Sequence, residues 1–372
     1  MDCVQTTWLT DEEYLRHFNR KIARQRVPLF GSFSLTHRCN LRCAHCYLDP
    51  AARRGAGAPR ELGGGELARI LDEAAEAGCL QVLLTGGEPM LHRDFARVYR
   101  RAKTNGLLVN VFTNATRITP NVLDLFCDLP PHAVEVSVYG ATAETYERIT
   151  GVEGSYGRCI AGIEALLDRG LCIKLKTVLM TLNQHEFFEI ESMARGYGVG
   201  FRFDAAIFPR FDGDRGPISL RVPAGEAVEM EFADEGRRRA CEKYYQAARN
   251  LPATDALYRC GAGRILFHVD PYGVMTPCLM TDDPRYDLCD GTFAQGWRDV
   301  LPRIMEKKAG RDFICSHCER KTLCDPCSAF FRLENGSEGC RSEYLCAMAR
   351  HRSERLRNGR FERLEVEVQN AV

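Results

Sequence analysis

Between Phe33 and about Asp204, six apolar, strand-like runs alternate with helical patterns, and no other feature narrows the fold so far. The runs are SFSLTH (32–37), QVLLT (81–85), LVNVFT (108–113), AVEVSVYG (133–140), CIKLKTVLM (172–180) and GFRFD (200–204). Between them the spacing becomes helical. Leu67, Ile70, Leu71 and Ala74 fall at offsets 0, 3, 4 and 7, and Ile160, Ile163, Leu166 and Leu167 gather before Gly170, a helix stop. Strands that alternate with helices predict a parallel sheet with right-handed crossovers.

Several of these strands carry a polar face. Val134, Val136 and Val138 oppose Glu135 and Ser137; Ile173, Leu175 and Thr177 oppose Lys174 and Lys176; Phe201 and Phe203 oppose Arg202 and Asp204. A closed barrel fills its interior with branched apolar side chains. Polar inward faces predict a wider, open barrel with a solvated or ligand-filled lumen, and Glu135, Lys174, Lys176, Arg202 and Asp204 are the candidates for lining it. The expected fold class is α/β: a partial (β/α)6, TIM-like barrel with a small cysteine-rich C-terminal domain.

The 372 residues divide accordingly into a lead-in helix (1–30, with Thr10 as N-cap), the barrel (31–206), a charged bridging segment (207–255), the cysteine-rich segment (256–350) and a C-terminal helix or tail (351–372). Lys+Arg and Asp+Glu both number 50, so no overall basic field attracts nucleic acid or anionic lipid. There is no apolar run of about 18 residues, and the charged N-terminus lacks the apolar stretch of a secretory signal. A cytoplasmic location is expected.

Eighteen cysteines without an export signal point to metal rather than disulfides. Cys3, Cys79, Cys127, Cys159, Cys172 and Cys241 stand alone and read as small buried hydrophobes. By contrast, Cys39, Cys43 and Cys46 form C-x3-C-x2-C directly after the first strand. Structural zinc takes four protein ligands, and no fourth Cys or His follows at zinc-finger spacing. Three thiolates on a 4Fe–4S cluster would leave one iron open to a small molecule. After the second strand comes TGGEP: Gly86 and Gly87 permit close backbone approach, and Glu88 can accept a hydrogen bond from an ammonium group.

CNLRCAHCY, with His45 before the last cysteine, together with GGEP resembles the radical S-adenosylmethionine (SAM) superfamily. The resemblance implies a SAM-binding 4Fe–4S cluster on Cys39, Cys43 and Cys46, whose open iron chelates the amino and carboxylate groups of SAM. One-electron reduction then yields a 5′-deoxyadenosyl radical that abstracts hydrogen from substrate. It further implies SAM contacts from Gly86, Gly87, Glu88 and Pro89, from Asn114 and Ser137 at the ends of the third and fourth strands, and from Arg158, or alternatively Arg148, for the carboxylate.

The C-terminal cysteines run Cys260-x12-Gly273-x4-Cys278, then Cys315, Cys318, Cys324 and Cys327 as C-x2-C-x5-C-x2-C, then Cys340 and Cys346. The five-residue gap is too short for a two-knuckle zinc ribbon. DPYG (270–273) reads as a turn between two short strands. The pattern resembles the SPASM extension of radical SAM enzymes, apart from x2 in place of x3 in the last interval. That resemblance implies two auxiliary 4Fe–4S clusters, three in all. Cys260, Cys278 and Cys327 would hold the first, with Cys289, Cys340 or an open site as its fourth position. Cys315, Cys318, Cys324 and Cys346, or Cys340 as the rival, would hold the second.

Relatives with this extension mostly modify ribosomally made peptides, so a peptide-modifying maturase is expected, with small-molecule chemistry as the alternative and a non-catalytic electron-transfer protein as the third reading. Leu279 stands where the sulfatase-maturing branch carries an acid, which argues against that branch. Only about thirty residues precede the first strand, so a separate small protein would present any leader peptide. A flavodoxin or ferredoxin would supply electrons.

Overall fold

Side-chain alternation along the strands sorts the barrel into two faces. The computed structural model describes residues 18, 25–54, 59–248, 254–311 and 313–369. Six parallel strands follow in chain order: β1 (Phe30–Thr36), β2 (Gln81–Gly86), β3 (Leu108–Thr113), β4 (Ala133–Ser137), β5 (Ile173–Val178) and β6 (Gly200–Asp204). Their register aligns Phe33 with Leu84, Leu84 with Val111, Val111 with Val134 and Val134 with Ile173, an apolar band across five strands. Successive side chains point to opposite faces, so Phe112, Glu135, Ser137, Lys176 and Arg202 fall on the other face.

The connecting helices cover the apolar band. They are α1 (Pro50–Arg54), α2 (Gly64–Glu76), α3 (Phe95–Thr104), α4 (Pro120–Asp128), α5 (Ala143–Thr150), α6 (Ser155–Asp168) and α7 (Phe187–Gly196). Leu67, Ile70 and Leu71 of α2, Val98 and Tyr99 of α3 and Ile163 and Leu166 of α6 are fully or almost fully buried in one core with the strands. Each such aliphatic side chain contributes about 1.5–3 kcal/mol. Local signals set the helix ends. Thr119 caps α4 and precedes Pro120 at its first turn, Thr142 caps α5, and Gly170 takes the expected left-handed conformation (φ +66°) after α6.

The sheet does not close. Its order is β6-β5-β4-β3-β2-β1-β7-β8-β9, where β7 (Leu266–Val269), β8 (Val274–Thr276) and β9 (Tyr286–Asp287) come from the cysteine-rich segment. β7 pairs in parallel with β1, and the DPYG turn joins it to β8 with Gly273 at φ +95°. This part of the segment shares the apolar core of the barrel. Phe267, Val269, Met275, Phe293 and Trp297 join the barrel core, and the Phe267 ring meets Phe33 edge-on at 5.8 Å. The free edge of β1 explains the arrangement, since its unpaired N–H and C=O groups gain partners from β7.

The bridging segment forms α8 (Ala224–Phe232) and α9 (Glu235–Ala248), followed by α10 (Ser328–Asn335) and α11 (Glu343–Gln369). Val228 and Phe232 pack against Met348, Ala349 and Leu356 of α11. The C-terminal helix therefore starts earlier than expected and carries Cys346. Arg221 and Glu334, both nearly buried, pair at 2.8 Å and fasten the bridge to α10. The expected lead-in helix with its Thr10 cap lies outside the described residues. Among the described residues no helix is long and apolar enough to cross a membrane.

Candidate active site

The loop after β1 is held by backbone hydrogen bonds on both sides. Cys39 N donates to Arg53 O (3.1 Å), Arg42 N to Thr150 O (2.7 Å) and Ala44 N to Ile149 O (2.9 Å), so α1 and the end of α5 fix its path. Cys39, Cys43 and Cys46 consequently line one wall of a cavity of about 350 Å³ at the C-terminal ends of the strands. Burial pushes the Cys39 thiol up to about 12, drives Cys43 well above the ordinary thiol range and raises Cys46, while the Arg53 charge acts in the opposite direction on all three. Three half-buried thiols this close cannot ionise together without a strong positive charge among them, so this donor set fits a thiolate-bound metal cluster. Among the described residues no three Cys, His, Asp or Glu side chains close around a single-ion position.

The glycine turn approaches this loop directly. Gly87 N donates to Thr36 O (2.7 Å) and Glu88 N to Arg38 O (2.9 Å). A Cβ on Gly86, whose φ is +140°, would run into the Thr36 carbonyl, and one on Gly87 would lie 2.5 Å from the His37 oxygen. Contact between the two loops thus requires both glycines, and both line the cavity. Glu88 and Pro89 are buried and do not line it. The Glu88 carboxylate accepts from Thr113 Oγ1 (2.8 Å), Asn114 N (2.9 Å) and Met90 N (3.4 Å), and burial lifts its pKa to about 7. The side chain expected to receive an ammonium group anchors the end of β3 through these bonds.

The other expected contacts divide. Asn114 and Ser137 line the cavity. Asn114 Oδ1 accepts from Thr116 Oγ1 (2.6 Å) while its Nδ2 donates to Asn40 Oδ1 (3.2 Å) and stands 3.9 Å from the Cys39 sulfur. Arg158 and Arg148 do not line the cavity. Their exposed side chains turn to backbone carbonyls outside it, Arg158 to Glu153 (3.3 Å) and Arg148 to Leu182 (2.7 Å).

On the lumen side, Lys176, Arg202 and Asp204 reach the cavity. Glu135 shares their face and pairs with Arg202 at 2.7 Å without lining the cavity. Lys174 lies nearer the N-terminal end of β5 and is exposed, so it drops out of the site. Lys176 Nζ lies 3.0 Å from the Phe112 ring centre, and burial, followed by the Arg202 charge, lowers its pKa well below the ordinary amine value.

Three neighbours escaped the strand-alternation argument. Arg53 comes from α1, too short to show periodicity. Tyr139 leaves the strand after β4, and its ring meets His45 at 4.5 Å. His45 is half-buried and lines the cavity, its Nδ1 has no hydrogen-bond partner among the described residues, and burial lowers its pKa to about 4. Phe112, with Lys176 over it, could have been found from its alternation with Val111 and Thr113.

The C-terminal cysteines form two groups. Cys278 and Cys327 each feel the charge of Cys260, and Cys327 feels that of Cys278. Cys324 feels Cys315, Cys318 and Cys346 together. Cys340 is exposed and its charge bears on neither group's shifts; Cys289 stands beside β9 with its thiol 3.6 Å from Tyr272 O. Leu279, next to Cys278, lines the cavity, so the first group adjoins the cavity wall.

Comparison with known proteins gives the same picture. The model of the radical SAM superfamily matches residues 33–194. The mycofactocin maturase MftC of Mycobacterium tuberculosis (strain CDC 1551 / Oshkosh) is 28% identical over 304 residues, covering 78% of this chain and 76% of that protein. The PqqA peptide cyclase of Ruegeria pomeroyi is 34% identical over 165 residues, 44% of this chain and 42% of that protein. Among solved structures, Streptococcus suis SuiB bound to precursor peptide SuiA superposes with a TM-score of 0.69 at 16% identity, covering 93% of this chain and 83% of that one, a likeness of fold.

Proposed function

This chain belongs to the radical SAM superfamily, with the domain at residues 33–194, and on that premise we propose that it modifies a ribosomally synthesised peptide. One observation carries the reading: a single cavity joins the three N-terminal thiols, the glycine turn, a polar lumen and Leu279 of the cysteine-rich segment. The similarity to the mycofactocin maturase over 78% of this chain, the similarity to a peptide cyclase and the fold shared with a precursor-peptide complex support the peptide as substrate.

Cys39, Cys43 and Cys46 would hold the SAM-binding cluster. Together with SAM it supplies reductive cleavage to a 5′-deoxyadenosyl radical and hydrogen abstraction from the substrate. Cys260, Cys278 and Cys327 would hold one auxiliary cluster, and Cys315, Cys318, Cys324 and Cys346 another. The two mutual groupings support this assignment, with Cys340 outside both. The division into barrel, bridge and SPASM-like segment follows the same lines, although β7–β9 extend the barrel sheet.

The chain's own residues orient and enclose. Gly86 and Gly87 bring the β2 turn against the thiol loop, and Glu88 anchors Asn114 beside Cys39. Tyr139, Phe208 and Leu279 give the cavity apolar walls, which limit water around a reactive substrate. Arg202 puts positive charge in the lumen and Lys176 beside it offers an amine donor, where a polar or acidic peptide group can be held. A reducing cytoplasm with a flavodoxin or ferredoxin donor suits such a protein.

Co-expression with short peptides encoded beside its gene tests the substrate. A mass change in one peptide that requires Cys39, Cys43 and Cys46 is the expected result. Unchanged peptides, with turnover of a small molecule instead, would overturn the peptide reading and leave the SAM reading standing.

A further inference from the structure

Arg53 is only 8% exposed, yet it lines the cavity beside the three thiols. Its Nε has no hydrogen-bond partner among the described residues, and its Nη1 reaches only the Cys43 carbonyl, at 3.4 Å. Burying a guanidinium with unused donors is costly unless a partner arrives. The backbone beneath it is fixed: Arg53 N donates to Asp49 O (3.0 Å), and Arg53 O accepts from Cys39 N (3.1 Å). The residue that presents the guanidinium therefore also holds the first cysteine.

The other cations are engaged or distant. Arg158 and Arg148 turn outward to backbone carbonyls. Arg202 pairs with Glu135, and Lys176 lies over Phe112 on the lumen side. Arg53 alone among these arginines combines burial, a free donor and a place on the thiol wall.

We propose that Arg53 binds the carboxylate of SAM, as a positioning residue for the methionyl end. The inference rests on the reading that the cavity takes SAM. A carboxylate that gives one oxygen to an open iron keeps the other for a hydrogen-bond donor. A planar guanidinium suits that oxygen better than a lysine ammonium does. In this chain an arginine seven residues after Cys46, on a short helix, thus takes the role expected of an arginine after the fourth strand.

The test is equilibrium binding of two probes, SAM and decarboxylated SAM, to the anaerobically reconstituted, unreduced protein. Wild type, Arg53→Met, Arg53→Lys and Arg158→Met are compared, with iron and sulfide measured for each. Arg53→Met should weaken SAM binding roughly 10- to 100-fold. The preference for SAM over decarboxylated SAM should fall by a similar factor, Arg53→Lys should recover part of it, and Arg158→Met should leave it intact. Equal loss for both probes, or undiminished SAM binding, would overturn the proposal. So would loss of iron in both Arg53 variants, which would assign the residue to cluster retention. A wild-type protein that binds neither probe would instead sink the SAM reading, and this proposal with it.

Discussion

The Lys176 ammonium stands 3.0 Å from the centre of the Phe112 ring, across β4 from it, and the neighbouring Arg202 guanidinium is already paired with Glu135. Among the described residues no carboxylate pairs with Lys176 itself. Burial holds its pKa well below 10.5, so in the fold the charged form is penalised. The penalty is present at neutral pH and fades as pH rises towards the unfolded value of 10.5. Lys176→Met should therefore raise the thermal midpoint at pH 7, and the gain should shrink as pH rises towards 10.5. Turnover of the substrate should fall while SAM cleavage without substrate persists. Calorimetry across that pH range and product analysis check both halves.

Glu88 gives the opposite kind of pH dependence. Its native pKa of about 7 exceeds the ordinary 4.5, with burial the main cause. The native state then holds more protons than the unfolded chain between those values, so stability falls as pH rises from about 4.5 through 7. Glu88→Gln should abolish this slope in denaturant titrations. It should also cost about 1–3 kcal/mol, because an amide cannot accept at both oxygens from Thr113, Asn114 and Met90.

The glycine turn is sensitive for a steric reason. Gly87→Ala places a methyl against the carbonyls of His37 and Arg38. The loop must shift, at a cost of about 1–3 kcal/mol, and the Cys39 segment moves with it. A lower melting temperature together with reduced iron content after reconstitution is the expected outcome.

Cys340 and Cys346 separate cleanly by position. Cys346 on α11 adds its charge to Cys315 and Cys324, whereas Cys340 is exposed and apart. Cys346→Ala should lose about four irons per chain, the content of one 4Fe–4S cluster, and Cys340→Ala should lose none. Iron and sulfide assays after anaerobic reconstitution give the answer.

Much of the barrel and part of the site are legible in the sequence because they depend on local spacing. Val134, Val136 and Ser137 show their faces by alternation alone, and C-x3-C-x2-C puts three thiols on one short loop. What escaped depends on contacts distant in sequence. Pairing of β7 with β1 joins Phe267 to Phe33 across more than two hundred residues, and no local pattern announces it. Arg158 looked like a site residue from its place after the fourth strand, but a rotamer turned towards Glu153 O removes it. Arg53 gave no signal, since its role depends on the loop folding back over α1. Glu88 stands out in the sequence through TGGEP, yet its partners Thr113 and Asn114 lie at the end of the next strand, where no local pattern links them to it.

The central claim is that Cys39, Cys43 and Cys46 together hold the centre at which SAM is cleaved. Its most direct test is 5′-deoxyadenosine formation by the reduced, reconstituted protein incubated with SAM, alongside the variant with all three cysteines changed to alanine. The account predicts 5′-deoxyadenosine from the wild type and none from the triple variant. Equal formation by both, or none from an iron-replete wild type, would contradict it.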